Sequence, residues 1–124
     1  ALDRAVAWAK ERQIGGSALA DYQGIQWMLA DMATQLTAAR LLANDAATLR
    51  EKGQRFTQQA AMAKLFASEM AAKVTDQALQ IHGGYGYTRD LPLERSFVRD
   101  VRIMRIYEGS SEIQRNIIAG LLLR

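Results

Sequence analysis

Ile25-Gln26-Trp27-Met28-Leu29-Ala30-Asp31-Met32-Ala33-Thr34-Gln35-Leu36-Thr37-Ala38-Ala39 carries the period that decides the fold. Ile25, Met28, Leu29, Met32, Leu36 and Ala39 recur at steps of three and four, so they share one face of a helix made to pack against other helices. The spacing predicts one long helix from about Ala20 to Lys52. On its amino side, Leu2, Val6 and Ala9 predict a short helix from Leu2 to Arg12, broken by Gly15-Gly16-Ser17. Ala1 to Val6 is already helix-like, as if the chain were cut from something longer.

On the carboxyl side, Gly53 ends the long helix, and Gln54 to Thr57 restart a pattern in which Met62, Phe66, Met70, Val74 and Ala78 form an i+4 row. This third helix is expected to end near Ile81. Two long helices joined by so short a connection must lie antiparallel, and each needs further helices to cover its stripe. Pro92 suits a first helical turn, and Leu93, Phe97, Val101 and Met104 predict a fourth helix from about Leu91 to Met104. Ser111 and Gln114 read as a capping box, Ser111 at the N-cap and Gln114 at N3, before an apolar row of Ile113, Ile117 and Leu121. The expectation is one all-α domain over residues 1–124, an up-and-down four-helix bundle with short appended helices.

Composition agrees with that class. Strong helix formers supply most of the 124 residues, and Pro92 is the only proline. The 16 basic and 13 acidic residues, net +3, are scattered rather than gathered, which describes a solvated surface. Arg95 to Arg105 alternates charge with apolar residues at helical spacing, so a nucleic-acid partner is not expected. With no cysteine and a single histidine, disulfides and a metal site are not expected either. No apolar run approaches ~18 residues, so membrane insertion is not expected.

Two non-helical stretches interrupt the pattern. His82-Gly83-Gly84-Tyr85-Gly86-Tyr87 is either a tight corner between helices or a place where bare backbone meets a phosphate or carbonyl. In Ile106-Tyr107-Glu108-Gly109-Ser110, Glu108 is either a loop carboxylate aimed into a dry pocket as a general base, or an exposed acid favoured by the dipole of the last helix. Spacing leaves both open. A di-iron bundle would need paired Glu-x-x-His motifs, and a hydrolytic triad would need a nucleophile beside its histidine. His82, beside two glycines, supplies neither and reads as a loop or packing residue.

Together, Gln80 to Tyr87, then Leu93-Glu94-Arg95 and Arg99-Asp100, then Ile106 to Gln114 resemble, in order and spacing, a signature region of the acyl-CoA dehydrogenases. The resemblance extends back through the third and second helices, Tyr22-Gln23 and Glu11-Arg12, and identifies the chain with that family's carboxy-terminal helical domain. It departs after Arg12, where the family usually has an aromatic and then glycine but this chain reads Gln13-Ile14-Gly15-Gly16.

The resemblance implies an FAD enzyme that desaturates an acyl-CoA thioester between its α and β carbons. In that scheme Glu108 is the catalytic base, and Tyr107 and Gly109 line the thioester site. Arg12, Gln23, Gln80, Gly83 and Gly84 bind the cofactor, partly across a subunit boundary, with Arg12 at the pyrophosphate. Ser110 and Glu112 lie near the adenosine half. It further implies a homodimer or homotetramer and an electron-transferring flavoprotein as acceptor. The location would be cytoplasmic in a bacterium and the mitochondrial matrix in a eukaryote, and an amino-terminal helical domain and a middle β domain would lie upstream. A non-catalytic helical oligomerisation module is the alternative expectation, since long apolar stripes can assemble without any cofactor.

Overall fold

The structure, a computed structural model, describes residues 1–91 and 93–124. The chain is all-α, with one two-residue hairpin as the strand structure among the described residues. It divides into two compact units, residues 1–34 with 72–101 and residues 35–71 with 102–124. The long helices α2 (Gln23–Glu51) and α3 (Thr57–His82) contribute to both.

In the first unit, α1 (Leu2–Glu11) buries Ala5 and Ala9 completely. Arg12 leaves the helix in an extended conformation, and β1 (Gln13–Ile14) pairs antiparallel with β2 (Ser17–Ala18). Gly15 and Gly16 have φ of 60° and 87°, the two positive values that a two-residue hairpin turn demands. The sequence showed only a break here, because two-residue strands carry no periodic signal. Tyr22 Oη donates to Ile14 O at 2.7 Å and ties the hairpin to the start of α2.

That start is Gln23 rather than Ala20, because Leu19–Asp21 form a 3-10 turn whose Asp21 carboxylate accepts the Ala18 N–H at 3.1 Å. The predicted face of α2 points inward: Met32 is fully buried, and Ile25, Met28 and Leu29 are half-buried. From α3 this unit buries Val74, Ala78, Ile81 and His82, and α3 runs one residue past its expected end. Burying a side chain the size of Met32 or Leu93 contributes roughly 1.5–3 kcal/mol.

The regular fourth helix expected from Leu91 to Met104 is not what forms. Leu91 lies in a bend, and the expectation for Pro92 falls outside the described residues. From Leu93 the chain winds as a π turn (Glu94–Arg99), one α turn, α5 (Asp100–Arg102), and a 3-10 turn (Ile103–Arg105). The π winding closes over five residues, as the Asp100 N–H donating to Arg95 O shows, so later residues rotate away from the line set by a 3.6-residue period. Leu93 is accordingly buried, Phe97 and Val101 are half-buried, and Met104 is exposed.

In the second unit, Ala39 and Ala46 are the buried residues of α2, two turns apart. Gly53, at φ 66°, ends the helix, and residues 52–56 are too few to do other than turn the chain back into α3. There Ala61, Ala63, Ser68 and Met70 are buried and Met62 is half-buried, but Phe66 of the predicted row is exposed. The last helix, α6 (Ser111–Leu122), also differs from expectation: Ser111 and Gln114 are its buried residues, Ile117 and Leu121 are half-buried, and Ile113 is exposed. The capping box is absent. Ser110 is the N-cap, and the Ser111 and Gln114 side chains bond elsewhere. No helix among the described residues is long and apolar enough to cross a membrane.

Candidate functional site

The glycine corner after α3 belongs to the first unit. Gly83, at φ 60° and ψ −143°, occupies a region essentially reserved for glycine and breaks α3 sharply into the single turn α4 (Gly84–Tyr87). A Cβ on Gly83 or Gly84 would meet nothing within 4 Å, so their backbone faces open space. Gly86 is different: its Cβ would lie 2.9 Å from Leu79 O and 3.0 Å from His82 Cβ, so this glycine lets α4 fold flat against the end of α3. His82 is the packing residue the sequence suggested, buried, with Nδ1 2.7 Å from Ala78 O and its ring stacked 5.1 Å from Trp8.

These elements border a groove of about 550 Å³ in which Arg12, Gln80, Gly83 and Gly84 come together. Trp8, Ile14, Leu19, Ile25 and Ile81 give it apolar walls. The Arg12 guanidinium lies 5.1 Å over the Tyr85 ring and, among the described residues, is in no ion pair. Bare backbone, a guanidinium with no acidic partner among the described residues and apolar walls fit a group that carries both phosphate and flat rings. Gln23, the remaining residue expected at the cofactor, begins α2 exposed and is not in the lining.

Glu108 belongs to the second unit, in the turn that leads into α6. It is exposed and has φ 54°, the only non-glycine with positive φ among the described residues, and Gly109 follows at φ 83°. Left-handed backbone costs a residue with a Cβ about 1–2 kcal/mol, so the turn must be held from outside. Lys64 Nζ of α3 donates to Gly109 O at 2.7 Å, and Gln114 Nε2 donates to Gly109 O at 3.1 Å and to Glu108 O at 3.3 Å. The neighbouring Tyr107 is exposed, its hydroxyl donating to Met104 Sδ at 2.8 Å.

Behind the turn sits a charged cluster that sequence reading missed. Glu69 Oε1 accepts from Ser111 Oγ at 2.7 Å with Arg115 at 4.0 Å, and Oε2 accepts from Arg105 at 3.2 Å. It borders a cleft of about 270 Å³ that also holds Ser110 and Glu112. The Ser111 hydroxyl holds the Glu69 carboxyl below its ordinary 4.5; burial opposes it as the next largest effect, and Arg105 and Arg115 add to the lowering. The Ser110 hydroxyl does the same for Glu112.

A carboxyl depressed in the folded state adds stability that is present above its ordinary value and is lost as pH falls through the folded value. Glu69→Gln is therefore expected to melt below wild type at neutral pH. The gap should shrink as pH drops below 4.5. Thermal melts across that range check it, and a gap that widens in acid would remove the cluster's assigned role. Among the described residues, no three His, Cys, Asp or Glu stand close enough to hold a metal ion.

Comparison with known proteins matches residues 1–123 to the family described as acyl-CoA dehydrogenase, C-terminal domain. The chain is 48% identical over its whole length to the caffeyl-CoA reductase-Etf complex subunit CarC of Acetobacterium woodii, covering 32% of that protein. It is 53% identical over its whole length to the mitochondrial short-chain specific acyl-CoA dehydrogenase of Bos taurus, covering 30% of it. Among solved structures, butyryl-CoA dehydrogenase of Megasphaera elsdenii superposes with a TM-score of 0.96 at 45% identity, over 99% of this chain and 32% of that one. The chain thus spans about a third of the length of these relatives. With the match running through the hairpin, the glycine corner and the Glu108 turn alike, the chain belongs to the acyl-CoA dehydrogenase family, as its C-terminal domain.

Proposed function

We propose that this chain is the base-carrying domain of an FAD-dependent acyl-CoA dehydrogenase whose remaining parts, a helical and a β domain, lie upstream. The observation that carries the reading is Glu108 itself, a carboxylate on left-handed backbone held by donors from two helices. Strain of this kind persists where the surrounding structure over-determines it, and such places cluster at active sites.

In this reading the Glu108 carboxylate takes the proton from the α carbon of an acyl-CoA thioester. Bound FAD would accept the hydride leaving the β carbon, so that the substrate loses two electrons and gains an α,β double bond. Tyr107 and Gly109 line the thioester, where polarising the carbonyl stabilises enolate-like charge. Glu108 is exposed in this chain alone, so the dry surroundings a base needs must come from substrate and from other parts of the protein.

Arg12 meets the pyrophosphate, with Gln80, Gly83 and Gly84 offering backbone and amide groups along the same groove. Gln23 joins them from the start of α2, and Ser110 and Glu112 contact the adenosine half from the 270 Å³ cleft. The proposed assembly is a homodimer or homotetramer in which neighbouring subunits complete each flavin site. The relative that is a subunit of an Etf complex favours an electron-transferring flavoprotein as acceptor.

The test is anaerobic addition of a short-chain acyl-CoA to flavin-loaded, full-length protein carrying this chain. Loss of the flavin absorbance together with formation of the enoyl-CoA is expected. A flavin that stays oxidised through a series of chain lengths overturns the reading.

A further inference from the structure

The two carbonyl groups of the left-handed pair Glu108-Gly109 are both bound by side chains from outside the turn, and neither side chain has a role in the chemistry just proposed. Lys64, half-buried on α3, is 45 residues from Gly109 in sequence yet donates to its carbonyl at 2.7 Å. Among the described residues it forms no ion pair, and its ammonium is given to main chain. Lysine is normally left to water, and a charge withdrawn from water needs a strong partner. Gln114, buried in the first turn of α6, reaches back with one nitrogen to both carbonyls.

Gly109 belongs to the same device. A Cβ there would stand 2.7 Å from Gln114 Nε2, so glycine is what lets the amide close on the turn. The arrangement binds main-chain atoms only. It sets the direction in which the Glu108 side chain leaves the backbone without engaging the carboxylate itself.

We propose that Lys64 and Gln114 are positioning residues for Glu108, clamping the strained turn so that its carboxylate leaves in one fixed direction. This rests on the assignment of Glu108 as the base. A carboxylate held in place before substrate arrives loses less freedom at the transition state, and small misplacements of a catalytic group are costly. Losing a charge-assisted hydrogen bond converts to a change of about tenfold or more in rate when it is felt at the transition state.

The experiment uses flavin-loaded, full-length enzyme carrying this chain, with rates taken per bound flavin. Lys64→Met is expected to lower kcat about tenfold or more with KM and flavin content unchanged. It should also speed amide hydrogen exchange in a peptide spanning residues 106–112 while the α1 peptide is unaffected. Lys64→Arg, which keeps a cationic donor, should restore most of kcat. Should Lys64→Met fail to assemble, Gln114→Met, which removes the other donor from a different helix, is read in the same way.

Unchanged exchange in that peptide overturns the inference whatever the activity shows. So does faster exchange with undiminished kcat where Glu108→Gln is inactive. If Glu108→Gln in the same background keeps full turnover, the failure belongs to the base assignment, and the catalytic sense of the clamp falls with it.

Discussion

Glu108→Gln, made in a full-length enzyme carrying this chain, is expected to lower kcat by about a hundredfold to ten-thousandfold, the range that a positioned proton acceptor supplies. The carboxamide is nearly the same size but does not accept the α proton, so the loss falls on the chemical step. Flavin content should not change, because Glu108 does not line the groove that gathers Arg12, Gln80, Gly83 and Gly84. Thermal stability should also stay level, since the left-handed backbone at φ 54° is equally strained under either side chain. Steady-state kinetics, flavin absorbance and a melting curve on one preparation separate these effects. Retained turnover would remove Glu108 from its role, and loss of flavin along with activity would point instead to a structural part for the residue.

Gly86→Ala has the largest effect expected on stability. The added methyl would press on Leu79 O at 2.9 Å and His82 Cβ at 3.0 Å, and neither can step aside. Leu79 O is main chain of α3, and His82 is fixed by Ala78 O and by stacking on Trp8. The α4 turn would have to lift, at a cost of about 1–3 kcal/mol for overpacking of this kind. Lifting it moves Tyr85, over which Arg12 lies, so flavin retention should fall as well.

Gly84→Ala is the control. Its methyl meets nothing within 4 Å, so stability should hold, while a ligand needing close backbone approach would be pushed off. Melting temperature and flavin release on the two variants should therefore move differently. A Gly86→Ala protein as stable as wild type would refute the packing account.

Much of the fold was legible because helix burial is periodic. Ile25, Met28, Leu29, Met32, Leu36 and Ala39 all turn inward as their spacing predicts, and Gly53 and Gly83 end the helices they follow. Two of the failures share one cause, a departure from 3.6 residues per turn or from helix altogether. The π turn at Glu94–Arg99 shifts the phase under Met104, and a hairpin of two-residue strands is too short to have a period. The capping box failed because pattern alone does not tell Ser110 from Ser111: the first sits at the N-cap, and the second is drawn to Glu69 on another helix.

The candidate site divides in the same way. Which residues are proposed to carry chemistry could be named from the chain alone, since Arg12, Gln80, Gly83, Gly84, Tyr107, Glu108 and Gly109 stand in a family motif whose order and spacing are themselves sequence. What holds them could not. That Gly86 rather than Gly84 supports the corner depends on the distance to Leu79 O. That Glu108 sits in left-handed backbone depends on a lysine 45 residues from the carbonyl it binds and on a glutamine turned back along its own helix. Periodicity reports which face of a helix is buried, because that is decided within a few turns of one element. Which donor on that face meets which carbonyl is settled only when separate elements pack, and the strain at Glu108 is maintained at that level.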